Sequence, residues 1–162
     1  MKIGILSDTH ITELADDWLA LVRNAFHEVE VIIHTGDFVS FETYEFMKSY
    51  KKLYSVWGNC DEIRIRRATR EKQVITLSGY RIGIFHGHGH DKTTLERAYD
   101  QFADDSVDLI IFGHSHQPLV QTKRGILMIN PGSMTNKRRE KWLSYIIMEL
   151  LPGRIQVGLN YF

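Results

Sequence analysis

KIGILSDTH (residues 2–10) passes from an apolar run straight into ionisable side chains. The run is short, rich in isoleucine and stopped by polar residues, which reads as a buried β-strand. Downstream, ELADDWLALVRNAFHE (13–28) sets Leu14, Trp18, Leu21, Val22, Ala25 and Phe26 on one face at helical spacing. The pattern then repeats. VEVIIH (29–34) reads as a second strand, FETYEFMKSYKK (41–52) as a second amphipathic helix and LYSVW (53–57) as a third strand. A β-α-β-α-β start implies parallel strands joined by crossovers.

The second half reads differently. KQVITLSGYRIGIFHG (72–87) predicts two strands turning at Ser78-Gly79. A helix is expected over KTTLERAYDQFADD (92–105), then a strand over VDLIIFG (107–113). LVQTKRGILMIN (119–130) predicts a hairpin turning at Lys123-Arg124-Gly125, and residues 142–162 another turning at Pro152-Gly153. The expected architecture is α/β, parallel early and antiparallel late, with two packed mixed sheets flanked by helices.

At 162 residues the chain is expected to be a single domain, 1–162. With 43% apolar and 25% charged residues it has the composition of an ordinary globular protein rather than a disordered or fibrous one. Zero formal charge argues against a general binder of nucleic acid or anionic membrane. One cysteine, Cys60, excludes an internal disulfide and fits a reducing compartment. The N-terminus turns polar too early for a signal peptide, and no apolar run could cross a bilayer. A cytoplasmic protein without a membrane partner is expected.

Ionisable side chains gather where the strands end: Asp8 and His10, then Asp37, Asn59, His86, and finally His114 and His116. Successive ends lie roughly 30 residues apart, about one structural unit, so they can converge on one sheet edge. Imidazoles with carboxylates suit Mn, Fe, Co, Ni or Zn better than Ca. Seven such groups exceed the needs of one tetrahedral ion and suit two ions sharing a carboxylate.

Each fragment alone has a bland reading. Asp-x-His is commonly a cap or turn, Gly-Asp an ordinary turn, His86 a core histidine, and Asp61 the N-cap of a following helix. Their clustering outweighs these readings: His10, His86, His88, His90, His114 and His116, of the chain's eight histidines, all lie at strand ends. His27 reads as a surface residue. His34, just before Gly36-Asp37, is placed to hydrogen-bond to a metal ligand.

The ordered series Asp-x-His, Gly-Asp, Gly-Asn-x-Asp, His and Gly-His-x-His resembles the calcineurin-like metallophosphoesterase superfamily. GNCD, FHGH, GHSH and NPGS look most like its small single-domain phosphodiesterases. The resemblance implies a four-layer α/β/β/α sandwich. It implies one divalent ion, most readily Mn, on Asp8, His10, Asp37 and His116, and a second on Asp37, Asn59, His86 and His114, with Asp37 bridging. Asp37 and Asn59 thereby become catalytic, and a water bridging the ions would attack phosphorus. The superfamily's protein phosphatases carry Gly-Asn-His-Glu, whose histidine assists the leaving group. Cys60 stands at that position here, which leaves His88 and Cys60 as candidates for the acid.

Two other readings compete. A retromer subunit shares this fold with a degraded metal site, so a non-catalytic interaction scaffold is one; fold alone does not fix function. A phosphomonoesterase or nuclease is the other. Arg64, Arg66, Arg67, Arg70 and Lys72, and the run NKRREK (136–141), keep nucleic acid open as a partner, although such runs are commonly solvated faces. The expected partner is a small phosphodiester substrate, with self-association of the chain left open.

Overall fold

The computed structural model describes residues 1–162. The strands are β1 (Lys2–Leu6), β2 (Val31–His34), β3 (Lys52–Ser55), β4 (Lys72–Leu77), β5 (Tyr80–Phe85), β6 (Leu109–Ile111), β7 (Leu119–Lys123), β8 (Ile126–Asn130), β9 (Ser144–Leu151) and β10 (Arg154–Tyr161). The helices are α1 (Asp16–Ala25), α2 (Phe41–Tyr50), α3 (Ile63–Ala68) and α4 (Thr94–Asp100).

Two five-stranded mixed sheets result, ordered β10-β9-β1-β2-β3 and β4-β5-β6-β8-β7. In the first, β1, β2 and β3 run parallel, as the early β-α-β-α-β reading requires. The last hairpin returns to that sheet, β9 pairing antiparallel with β1. The second sheet corrects the expectation of an antiparallel late half. Its centre, β5-β6-β8, is parallel and only its flanking strands β4 and β7 are antiparallel. Each hairpin of this sheet supplies one central and one outer strand, so neighbours in sequence account for only part of its pairing.

Side-chain alternation fixes the layers. On β1, Ile3 and Ile5 enter a core with Ile33, Ile82, Ile84, Leu109, Ile111, Ile129, Ile146 and Met148, drawn from both sheets. Leu6 and Ile32 face the other way, against Trp18, Val22 and Phe26 of the α1 segment and Met47 of α2. On the far side, Ala98 and Phe102 of the α4 segment cover Phe85, Ile110, Phe112 and Met128. The order is α/β/β/α. Each fully buried isoleucine contributes about 1.5–3 kcal/mol, so the inter-sheet core is a large share of the stability.

All three expected helices are shorter than their sequence patterns, α1 and α4 at both ends and α2 at its end. α1 opens at Asp16 after an extended Ala15, with Asp16 and Asp17 in its first turn, where acidic charge suits the helix dipole. α4 begins at a Thr93–Glu96 capping box. α3 follows the Gly58–Asp61 turn, where the cap reading of Asp61 set a helix; three of its six residues, IRIRRA, are arginine and only Ile65 is buried. Because β1–β3 run parallel and β5, β6 and β8 run parallel, their carboxyl ends can present loops along common edges.

Candidate metal centre

Asp8 and His10 follow β1, Asp37 follows β2, His86 follows β5, and His114 and His116 follow β6. The two sheets meet here. His114 N–H donates to Asp8 Oδ2 at 2.9 Å, and the His86 Nδ1 lies 2.8 Å from the Thr35 carbonyl. Asp8, His10, Asp37, His114 and His116 all take left-handed backbone, φ between 43° and 66°. Such a residue costs on the order of 1 kcal/mol or more, and such strain clusters at functional sites. It is what turns each side chain back over its strand end.

The carboxylates share one design. Asp8 Oδ2 accepts from Ser7 Oγ and the His114 amide, leaving Oδ1 buried with no hydrogen-bond partner. Asp37 Oδ1 accepts from Cys60 N–H at 2.8 Å, and Oδ2 is likewise buried without a partner. Both side chains are fully buried. Around the free oxygens stand imidazole nitrogens. Asp8 Oδ1 lies 3.3 Å from His116 Nε2 and 3.8 Å from His10 Nε2. Asp37 Oδ2 lies 3.3 Å from His86 Nε2 and 3.6 Å from His10 Nε2.

The histidines face one another in pairs, His10 Nε2 to His116 Nε2 at 3.2 Å and His114 Nδ1 to His86 Nε2 at 3.3 Å. For His86 and His116 the second ring nitrogen meets a backbone carbonyl, of Thr35 and Asn136 respectively. That nitrogen must carry the proton, so Nε2 is the one available to a metal. Ligand atoms of Asp8, His10 and His116 lie within 4.8 Å of one another, as do those of Asp37, His86 and His114; His10, Asp37 and Cys60 form an overlapping third group. Orphaned carboxylate oxygens beside converging imidazole nitrogens suit divalent metal ions.

The site's charge is consistent with that. Burial alone would raise the pKa of Asp8, but hydrogen bonds from His10 and His116 and the charge of His86 hold it well below the usual carboxylate range. Burial acts the same way on Asp37 and is outweighed by His86 and the Cys60 amide, which bring it to about 2. His86 is the reverse case, burial lowering its pKa and Asp37 and Asp8 raising it above the usual imidazole value. Burial, then the charge of His86, lowers His114 to about 4. Burial, then Asp37, pushes the Cys60 thiol up to about 11.

Asn59 and His88 do not join these groups. Asn59 is exposed and its amide nitrogen donates to Cys60 Sγ at 3.3 Å. His88 lies half-buried between Trp57 and Phe85, with Nε2 3.5 Å from Glu71 Oε1. His34 is buried but reaches no ligand side chain. Its Nδ1 accepts from Gly36 N–H and its Nε2 meets Thr9 Oγ1, so it braces the turns on either side of Asp37 and Asp8. Burial lowers its pKa to about 3 and keeps it neutral.

Asp61 is not a helix cap either; α3 is capped at Glu62. The Asp61 carboxylate collects the amides of Gly58 at 2.7 Å, Val39 at 2.8 Å and Asp37 at 2.9 Å. The segment after β8 is a clasp. Ser133 Oγ donates to Asp8 O, Thr135 Oγ1 donates to Thr9 O, and Asn130 Nδ2 donates to Gly113 O and Ser115 Oγ at 3.0 Å each. Arginines outside the motifs grip the same turns: Arg66 on Asn59 O, Arg97 on Gly87 O and Arg138 on His114 O. The NPGS motif pointed to the clasp. Nothing in sequence pointed to the arginine contacts.

Two sheets whose strand ends bring aspartates and histidines into one buried cluster define a metal-binding α/β sandwich. The chain belongs to the calcineurin-like phosphoesterase superfamily, whose domain model matches residues 1–152. A probable metallophosphoesterase of Mycoplasma pneumoniae is 34% identical over 159 residues, covering 95% of this chain and 92% of the relative. A phosphodiesterase of Methanocaldococcus jannaschii is 33% identical over 147 residues, covering 82% and 83%. Wild-type Vps29 of Entamoeba histolytica, solved with Zn²⁺, matches with a TM-score of 0.73 over 99% of both chains at 21% identity, a likeness of fold. No helix of this chain is long and apolar enough to cross a membrane.

Proposed function

We propose that residues 1–162 act as one phosphodiesterase domain working with two divalent ions, Mn most readily. Asp8, His10 and His116 would hold one ion and His86 and His114 the other, with Asp37 shared between them. The observation that carries this is the pair of buried, unpartnered oxygens, Asp8 Oδ1 and Asp37 Oδ2, each ringed by imidazole nitrogens. Asp37 Oδ2 suits the bridge because it lies near a histidine of each group, His10 and His86. When bound, the ions would activate water and stabilise the charge that develops on phosphoryl oxygens.

The chain's own contribution is placement. The Cys60 amide and the three amides gathered by Asp61 fix Asp37, and the carbonyls of Thr35 and Asn136 fix the tautomers of His86 and His116. Asn59 completes the second ion's shell if its exposed amide leaves Cys60. His88, the other candidate for the acid, keeps its Nε2 3.5 Å from Glu71 Oε1, and its buried Nδ1 has no hydrogen-bond partner. Preference for diesters is supported by the M. jannaschii phosphodiesterase. The single exposed Cys60 supports a reducing, cytoplasmic setting.

Metal content alone does not separate an enzyme from an interaction scaffold, since a site can hold an ion without turning over a substrate. Hydrolysis does. The chelated protein should be inactive on bis-p-nitrophenyl phosphate and recover more with Mn²⁺ or Ni²⁺ than with Ca²⁺. Its kcat/KM should exceed that for p-nitrophenyl phosphate. Full activity without metal would remove the proposed mechanism; no activity with any metal would favour the scaffold.

A further inference from the structure

We propose that Arg138, with Arg139, forms a subsite for a second phosphate group of the substrate, beside the metal centre at the His114–His116 turn. This rests on the phosphodiesterase reading and names the class of diester: one that carries a further phosphate besides the one cleaved.

The three arginines that grip the site's turns differ in what they have left to offer. Arg97 engages all three guanidinium nitrogens, Nε on Gly87 O, Nη1 on Lys92 O and Nη2 on Thr94 Oγ1. Arg66 engages Nε on Asp61 O and Nη2 on Asn59 O, and its guanidinium lies 4.8 Å from the Trp57 ring centre. Both are structural ties. Arg138 engages only Nη1, donating to His114 O at 2.9 Å. Its Nε and Nη2 have no acceptor, and neither Arg138 nor Arg139 has a carboxylate within salt-bridge distance. A guanidinium presents five donors in a planar fork that matches phosphate oxygens, so an anchored one with spare donors is a preformed phosphate contact.

The surroundings fit. Arg138 and Arg139 line an open cleft of about 630 Å³ with Ser115, Gln117 and Glu140. Ser115 lies between His114 and His116 in the chain and Arg138 holds the His114 carbonyl, so the cleft adjoins the turn that carries both histidines. Arg138 itself takes left-handed backbone, φ 48°, with its amide donating to Asn136 Oδ1. Asn136 O in turn holds His116. The loop that clasps the Asp8 turn therefore also aims this guanidinium. Glu140 leaves the cleft with one net positive charge from its three ionisable residues, enough to favour one phosphate and not a long polyanion.

The test compares p-nitrophenyl thymidine 5′-phosphate with and without a 3′-phosphate, so that the leaving group stays constant. A matching pair built on glycerol phosphate distinguishes a nucleoside source from a small polyol. Wild type loaded with Mn²⁺ should favour the bisphosphorylated ester by about tenfold in kcat/KM, the effect of one charge-assisted contact. Arg138→Gln should collapse that ratio and Arg139→Gln should reduce it, whereas Arg138→Lys should retain part. If Arg138 merely props His114, both esters slow equally and the ratio survives, which overturns the proposal. Binding of thymidine 3′,5′-bisphosphate against thymidine 5′-phosphate, by calorimetry on the metal-loaded protein, gives a readout without turnover. An Arg138-dependent advantage in binding without hydrolysis of any ester would keep the subsite and remove the phosphodiesterase reading. No advantage in binding or in rate would remove the subsite.

Discussion

The Gly113–His116 turn after β6 and the Gly58–Asp61 turn after β3 both border the candidate metal centre and each holds an aspartate by a backbone amide, but only the first also turns its side chains inward. In the first, Asn130 and Arg138 hold the carbonyls of Gly113 and His114, the His114 amide holds Asp8 Oδ2, and the His114 and His116 side chains point into the cluster. In the second, the backbone points in: the Cys60 amide holds Asp37, while the Asn59 and Cys60 side chains are exposed. Each turn needs its glycine. A β-carbon on Gly113 would stand 1.9 Å from Ser7 Oγ, and one on Gly58 would stand 2.1 Å from Asp37 Oδ1. Both turns orient an aspartate, and under the proposed function only the Gly113–His116 turn also offers imidazoles in the conformation seen here.

The sharpest way to break that contrast is to compare Asp37→Asn with Asn59→Ala. Asp37→Asn removes the charge placed between both histidine groups and should lose one ion and about a thousandfold or more in kcat/KM, a loss of about 4 kcal/mol. Asn59→Ala removes a neutral, exposed side chain and should cost about tenfold or less. Equal rates and equal metal content in the two variants would show that the Gly58–Asp61 turn is a donor after all.

Asp61→Ala tests the orienting role through stability. Three amides, of Gly58, Val39 and Asp37, would lose their acceptor, at about 1–3 kcal/mol each before water or relaxation compensates. Urea unfolding of the metal-free protein should show a loss of about 3 kcal/mol. A loss under about 1 kcal/mol would mean that the amides find other partners and that Asp61 is not what fixes Asp37.

His34 gives the smallest effect. Its pKa is about 3 when folded, through burial, and about 6.5 in the unfolded chain, so the unfolded state takes up the proton first. Stability from keeping it neutral is complete above about pH 6.5 and is lost progressively as pH falls toward 3. Between pH 7 and pH 5 the metal-free wild type should lose about 2 kcal/mol relative to His34→Gln. Parallel pH profiles for the two proteins would place the buried histidine's titration elsewhere.

How much of this was legible in the sequence divides along the same line. Asp8, His10, Asp37, His86, His114 and His116 stand out in the sequence because each follows the end of a short, continuous apolar run. Parallel pairing of β1, β2 and β3 followed from the crossovers. The parallel centre of the second sheet did not, because β8 pairs with β6 across β7, and no local pattern records a partner that distant. Asp61 looked like a cap because its three donors come mostly from other segments. Arg138 looked like part of a solvated run because its contact, His114 O, lies on another loop. Side-chain chemistry marks a donor in one dimension, whereas an orienting residue is defined by backbone groups that only the fold brings to it.

Metal stoichiometry tests the central claim most directly. Metal-free protein titrated with Mn²⁺, with bound ion measured by calorimetry and hydrolysis of bis-p-nitrophenyl phosphate followed in parallel, should take up two ions per chain. Hydrolysis should rise with the second. Asp37→Asn should stop at one ion or fewer and remain inactive. A wild type that reaches its full rate with a single ion, or binds none, would contradict the account of a paired centre built around Asp37.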